Sequence, residues 1–171
     1  MGPTIALRPL RPDDRDALYA VASDPLIWAV HPAHDRHERA VFDAFFDEAI
    51  AGGGALVVID RSDGAIIGSS RYDFARGERQ EVEIGWTFLA RSHWGGSTNR
   101  ELKRLMIGHA LASVDAAIFL VGEANGRSRR AMRKIGARLT DRTHRATMAG
   151  RDAVHVVHRM DAADFAASPL G

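Results

Sequence analysis

The sequence predicts an α/β fold of the α+β kind: one domain on a mixed, mostly antiparallel sheet of about seven strands, flanked by helices. Three observations predict it. After two segments of helical period, Gly52-Gly53-Gly54 opens three consecutive strand-like runs joined by tight turns, which is a meander. A strand, a glycine-containing loop, a helix and another strand come next, a crossover that makes neighbouring strands parallel. Two further runs around Gly150 then close the sheet as a hairpin.

Residues 4–8 read as the first strand. Arg11-Pro12-Asp13-Asp14 reads as a helix entry, because proline suits the first helical position and acidic residues the first turn. Ala17, Leu18 and Val21 give that helix its apolar face, Ser23-Asp24-Pro25 ends it, and residues 26–32 read as a loop. A second helix over 36–51 shows Ala40, Val41, Ala44, Phe45 and Ala49 at period 3.6, and the glycines stop it. Ala55–Asp60 is a buried strand, and Asp63-Gly64 marks a hairpin turn into its partner, 65–73. The third strand is 80–89. A helix over 99–112, a buried strand over 116–121 and a short, very basic helix over 127–135 closed by Gly136 follow. Strands over 138–147 and 153–160, turning at 148–151, complete the sheet around a core of about 5–160, and 161–171 reads as a loose tail.

Composition narrows the function. The chain has 171 residues, 46% hydrophobic, which suits a single domain spanning 1–171. Lys and Arg number 23 against 22 Asp and Glu, so no overall field favours nucleic acid or an anionic membrane. Cysteine is absent, which excludes a disulfide framework, a thiolate nucleophile and a zinc–thiolate site. The opening Met1-Gly2-Pro3-Thr4-Ile5 lacks a basic segment followed by a long apolar one, so no secretory leader and a cytoplasmic location are expected.

The segment from Glu81 to Leu111 carries the most chemistry. A helix start offers unpaired N–H groups and the positive end of the macrodipole, and the two glycines in Trp94-Gly95-Gly96 let a ligand approach the main chain. That makes a pyrophosphate cradle, or simply a strand-to-helix connection that needs glycine. Three segments resemble a known family. Ile5-Ala6-Leu7-Arg8-Pro9-Leu10-Arg11-Pro12-Asp13-Asp14 is similar to an "LRPL-x-x-x-D" opening. Trp94-Gly95-Gly96-Ser97-Thr98-Asn99-Arg100-Glu101 is similar to a "W-G-x-G-x-A-x-E" cofactor loop. Asn125-Gly126-Arg127-Ser128-Arg129-Arg130-Ala131-Met132-Arg133-Lys134-Ile135-Gly136-Ala137 is similar to "N-x-x-S-x-x-x-x-x-K-x-G-F". In this order they resemble the GNAT superfamily of acyl-CoA-dependent N-acyltransferases, and within it the branch that acetylates ribosomal-protein N-termini, over roughly 5–160.

The resemblance implies acetyl-CoA as acyl donor and an amine as acceptor. It implies that Phe88, Leu89 and Ala90 pair their backbone with the pantetheine arm. Backbone N–H groups of Trp94, Gly95, Gly96, Ser97, Thr98 and Asn99 would hold the pyrophosphate. Asn125 would bond the pantetheine region, with Ser128 and Arg129 beside the cofactor. The chain departs from the pattern at Ser97, where a glycine is usual; at Asn99, which replaces a small residue and suits an N-cap; and at Met132, where many relatives carry a tyrosine acid and methionine has no proton to give.

Glu83, on the strand beside the expected cofactor arm, is the candidate general base, since an amine must lose its proton before attacking a thioester. The plain alternative is a solvated strand residue like Glu81. Alternation puts Glu81, Glu83 and Gly85 on one face and Val82, Ile84 and Trp86 on the other. In the loop before the second helix, Trp28, His31 and His34 are candidates for the acceptor side, as is Tyr72; packing or exposure is the alternative for each. The eight histidines include no His-x-x-x-His helix, so no metal site is expected. The basic cluster Arg127, Arg129, Arg130, Arg133 and Lys134 is better matched to an anionic cofactor than to nucleic acid. The expected function is transfer of an acetyl group to a primary amine, a protein N-terminus or a small molecule, by direct attack. The alternative is a catalytically weak or inactive acyl-CoA-binding regulatory module. A homodimer is left open.

Overall fold

The computed structural model describes residues 2–148 and 150–171; the expected turn at 148–151 includes Ala149, which lies outside the described residues. The strands are β1 (Ile5–Pro9), β2 (Ala55–Asp60), β3 (Ile66–Asp73), β4 (Glu81–Leu89), β5 (Ala116–Gly122), β6 (Arg138–Met148) and β7 (Arg151–Asp161). They form one sheet in the order β1-β2-β3-β4-β5-β7-β6. Among the described residues every neighbouring pair is antiparallel except β4 and β5. The helices are α1 (Arg15–Ala22), α2 (Pro25–Trp28), α3 (Arg39–Gly52), α4 (Thr98–Ala110), α5 (Gly126–Lys134) and α6 (Ala162–Ala167).

Two apolar clusters sandwich the sheet. On one face Leu18, Trp28, Phe42 and Phe46 of α1, α2 and α3 pack with Phe88. On the other, Leu102, Met106 and Ile107 of α4 and Met132 and Ile135 of α5 pack with Ile84, Phe119 and Val121. Fully burying each such side chain is worth about 1.5–3 kcal/mol. Glu101 fixes α4 to the sheet edge, accepting from the N–H groups of Thr4 and Ile5 at 2.9 and 3.0 Å.

Several expectations change. The segment after Asp24 is not wholly loop: Asp24 accepts from the N–H of Leu26 and caps the short α2. The second helix starts three residues later than expected, at Arg39. The C-terminal residues are not a loose tail. Asp161 and Asp164 form a reciprocal capping box at the start of α6, Arg138 bonds both carboxylates, and Leu170, 2% exposed, joins the core cluster that also holds α4 and α5.

The positioning feature of the fold is a break in β4. Arg71 pairs with Gly85 and Ser69 with Phe88, so Ser70 faces both Trp86 and Thr87. This is a β-bulge, and Trp86 takes φ +51°, the left-handed region that a bulky residue rarely occupies. Ser70 Oγ and Thr87 Oγ1 bond across it at 2.8 Å. Simple alternation therefore fails at Trp86, whose ring is brought beside the guanidinium groups of Arg71 and Arg76 at 4.7 and 4.6 Å. The β4–β5 pairing covers only Glu81, Val82 and Glu83 against Ala116, Ala117 and Ile118. Beyond that point the strands part.

Candidate active site

The parting strands open a cavity of about 430 Å³ between β4 and β5. Its mouth is the 94–99 loop with the start of α4 on one side and the start of α5 on the other. Gly95 adopts φ +76°, which is why glycine is needed there. A Cβ at Gly95 or Gly96 would meet nothing within 4 Å, so the backbone lies open. Ser97 is the N-cap, in ordinary right-handed conformation and without a side-chain cap bond. The missing family glycine is thus not conformationally required at Ser97, and the first-turn N–H groups of α4 keep no side-chain acceptor. Asn99 is not the cap; it lies within the first turn and lines the cavity.

Trp94 donates its Nε1–H to the carbonyl of Leu89 at 2.9 Å and lies under the Arg127 guanidinium at 4.2 Å. Arg127 also bonds the carbonyl of Ile27 at 3.3 Å, spanning the mouth from α5 to α2. Arg129 turns away to the carbonyl of Glu123 and does not line the cavity. The cation at the mouth is Arg127, two residues earlier in the basic run than the family pattern indicates. Asn125 caps α5, its Oδ1 accepting from the N–H of Ser128 at 3.1 Å, and both residues line the wall. Phe88 and Leu89 line it too. Ala90 does not: its N–H is already given to the carbonyl of Ile67 at 2.8 Å. Ser97 and Thr98 flank the mouth without lining it.

A second recess of about 40 Å³ holds Glu83, Arg76 and Arg36, and shares His31, Trp86, Leu120 and His155 with the large cavity as a common wall. Glu83 is 2% exposed and receives Arg76 Nη2 on Oε1 at 2.8 Å, while Oε2 has no partner. Burial pushes its carboxyl up to about 7 against the opposing pull of Arg76. Glu83 is therefore not a solvated strand residue, and neither is Glu81. Burial pushes Glu81 up too, but hydrogen bonds from Arg142, the N–H of Glu78 and Arg159 prevail and hold it below the usual range.

His31 is a different kind of group. Burial, with Arg36 and His155 adding to it, pushes its imidazole down to about 3. Nδ1 accepts from the N–H of Ala33 at 2.9 Å, so the neutral ring carries its proton on Nε2 and has no lone pair free to act as a base. Trp28 lines the cavity while its Nε1–H donates to the carbonyl of Ala22 at 2.7 Å. Tyr72 stands apart from both recesses: its hydroxyl donates to the carbonyl of Met106 at 2.7 Å, and burial raises it to about 12. It is a packing residue. His34 is exposed and lines neither recess. Among the described residues no group of three or more His, Asp or Glu side chains is placed to hold a metal.

Lys103 was not singled out in the sequence. It projects from α4 into the large cavity, 3% exposed, with Nζ donating to Thr87 Oγ1 at 3.0 Å. Its signal was available: a lysine among Leu102, Met106, Ile107 and Ala110, the apolar stripe of its helix.

A mixed sheet splits after one short parallel pairing, with an open helix start at the mouth of the gap and a buried carboxylate at its inner end, in an α/β domain. The acetyltransferase (GNAT) domain model matches residues 4–138, and the chain belongs to this family of acyltransferases. A probable GNAT-family acetyltransferase from Chromobacterium violaceum is similar in fold, with TM-score 0.83, 21% identity and coverage of 97% of this chain and 87% of that one. RimJ of Mycobacterium smegmatis, solved with CoA-disulfide, gives TM-score 0.73 at 18% identity, covering 97% and 86%. A spermidine N-acetyltransferase from Vibrio cholerae, solved with CoA and spermine, gives 0.74 at 13%, covering 96% and 99%. No curated protein matches the chain. Among the described residues no helix is long and apolar enough to cross a membrane.

Proposed function

We propose that this chain transfers the acetyl group of acetyl-CoA to a primary amine by direct attack on the thioester. The observation that carries the reading is the junction of the two recesses: a long cavity with an anion-friendly mouth ends against a small one that holds a raised-pKa carboxylate. The CoA complexes of the Mycobacterium and Vibrio proteins support the donor.

In this reading the pyrophosphate lies over the 94–99 loop, beside Arg127 and the start of α4. The pantetheine arm runs between β4 and β5 past Phe88, Leu89 and the Asn125 side chain. The thioester carbonyl faces backbone N–H groups of β4 on the side left without a strand partner after Glu83, which stabilise the oxyanion. The Ala90 N–H, already committed, is not among them. The acceptor enters the Glu83 recess as an ammonium group. Glu83 takes one proton, the neutral nitrogen attacks, and His31 offers its Nε2–H to the substrate.

The test is a thiol-release screen with acetyl-CoA against peptide N-termini, amino-acid-like amines, aminoglycoside-type amines and polyamines. Saturable release with at least one class is expected. CoA binding without release for any class would favour the regulatory-module reading.

A further inference from the structure

Lys103 is an ammonium buried without a counter-ion: among the described residues no carboxylate lies within salt-bridge distance of Nζ. A buried cation left unpaired is unfavourable, and the stripe it interrupts would be served by leucine or methionine. Its place is specific. Thr87 lies just past the bulge on β4, and Phe119, whose ring centroid is 5.2 Å from Nζ, is the first β5 residue after the pairing ends. The ammonium therefore sits at the point where the strands part. Of its three donors one is used, by a neutral hydroxyl.

Resting on the acyl-transfer reading above, we propose that Lys103 is the catalytic acid of the reaction: it stands beside the thioester sulfur and gives its proton to the CoA thiolate as that leaves. Transfer creates two negative charges in this channel. The oxyanion is met by the unpartnered backbone of β4. Beyond Arg127 and Ser128 in its first turn, α5 presents Ala131 and Met132 to the cavity, and neither has a proton to give. Arg127, the other strong cation of the lining, is at the mouth and holds its protons too firmly to release one.

The step balances. The nitrogen lone pair forms the N–C bond, the C–S bond breaks with its electrons on sulfur, and an Nζ–H proton passes to sulfur to give the free thiol. Lys103 is left a neutral amine that water reprotonates. One proton of the acceptor ammonium leaves on Glu83 and a second leaves the attacking nitrogen to water once the N–C bond has formed; Lys103 takes one back, so the cycle releases one proton to solvent. Burial pushes the Lys103 amine down to about 7, against the pull of Glu83.

The experiment uses the CoA complex and needs no acceptor. The thiol of bound CoA is titrated by its thiolate absorbance in the native protein, in Lys103→Met and in Lys103→Arg; Lys103→Gln replaces the methionine variant if that one does not fold. The bound thiol is expected to titrate at least about one pH unit lower in the native complex than in Lys103→Met, and the arginine variant, which keeps the charge, to restore the low value. With a working acceptor, Lys103→Met lowers kcat about 10²-fold with KM for acetyl-CoA nearly unchanged, and arginine does not restore kcat because it has no proton to give. Equal thiol titrations in complexes that all bind CoA overturn the assignment of Lys103 alone. Failure of every protein, native included, to bind CoA overturns the acyl-CoA reading and this inference with it.

Discussion

Replacing Lys103 by methionine is expected to make the protein more stable. The change removes the ammonium and keeps an unbranched apolar chain against the Phe119 ring, where a thioether packs well. It leaves no orphan, because Thr87 Oγ1 remains bonded to Ser70 Oγ at 2.8 Å. Burial lowers the amine from 10.5 to about 7. That interval corresponds to about 4–5 kcal/mol. That value already includes the attraction to Glu83, so the net gain at pH 7 is about 4 kcal/mol. The sign follows from proton binding. Between pH 7 and 10.5 the folded chain binds fewer protons at Lys103 than the unfolded chain, so the native protein gains stability as pH rises through this window. The penalty is full below about pH 7 and gone above about 10.5; the variant has none. Urea unfolding of both proteins at pH 7, 8, 9 and 10 measures the difference directly, because other groups cancel. The variant is expected to lead at pH 7, by about 10 °C in melting temperature, and its lead to shrink by about 1.4 kcal/mol per pH unit above that. A variant less stable than the native protein at pH 7, or a difference that ignores pH, would refute the description of Lys103 as a buried, uncompensated cation.

Glu83→Gln is expected to lower turnover by about 10²–10⁴-fold with CoA affinity unchanged. In the native enzyme the ionisation of Glu83 sets the rising limb of the pH–rate profile near 7 and loss of the Lys103 proton the falling limb, and the variant should lack the rise; near-normal turnover would leave Glu83 as a partner of Arg76 only. Gly95→Val puts a β-branched residue at φ +76° and a side chain over the open backbone, so CoA affinity by calorimetry should fall more than about tenfold in a folded protein. Unchanged affinity would place the phosphates elsewhere. Leu170→Ala should cost about 2–5 kcal/mol in denaturant unfolding because the side chain is fully enclosed. A loss under about 0.5 kcal/mol would mean that the chain end is not docked.

The period of the apolar residues made the strands and longer helices legible, because each buries one face against a single layer. The three-residue delay at Arg39 and the short α2 were less so: α2 follows from the Asp24 cap on Leu26 and the Trp28 bond to Ala22, and the delay from a turn in which the Glu38 N–H donates to the carbonyl of Asp35. The α6 helix had a readable signal in Asp161 and Asp164, three apart, but its docking depends on Arg138 and on Leu170 joining the core cluster. The bulge at Trp86 had none. Tryptophan has no leaning toward left-handed backbone, and what holds it there is Ser70 on the neighbouring strand and two arginines, one of them fifteen residues away in sequence. The open 94–99 loop was legible through its glycines, yet the choice between Arg127 and Arg129 depends on how α5 faces Trp94, which periodicity does not register.

Glu81 and Glu83 show most clearly what separates a fully paired from a partly paired buried carboxylate here. Two residues apart on one strand, alternation gives them the same face and, by inference, the same environment. Both are buried, but at Glu81 the sheet is continuous, and β6 and β7 carry Arg142 and Arg159 across to it. Other buried acids are treated alike: Asp14 pairs with Arg8, and Glu101 takes the N–H groups of Thr4 and Ile5. Glu83 is the last paired residue before the strands part, so it keeps one arginine and an unbonded oxygen. Lys103 reaches the same junction from α4 and keeps one hydroxyl. A chain that pairs its buried charges elsewhere leaves two opposite ones undersatisfied at the single place where its sheet opens. Such groups lower stability wherever they stand. Their gathering at the junction of the two recesses is what the proposed proton-accepting and proton-donating groups on either side of one thioester would require.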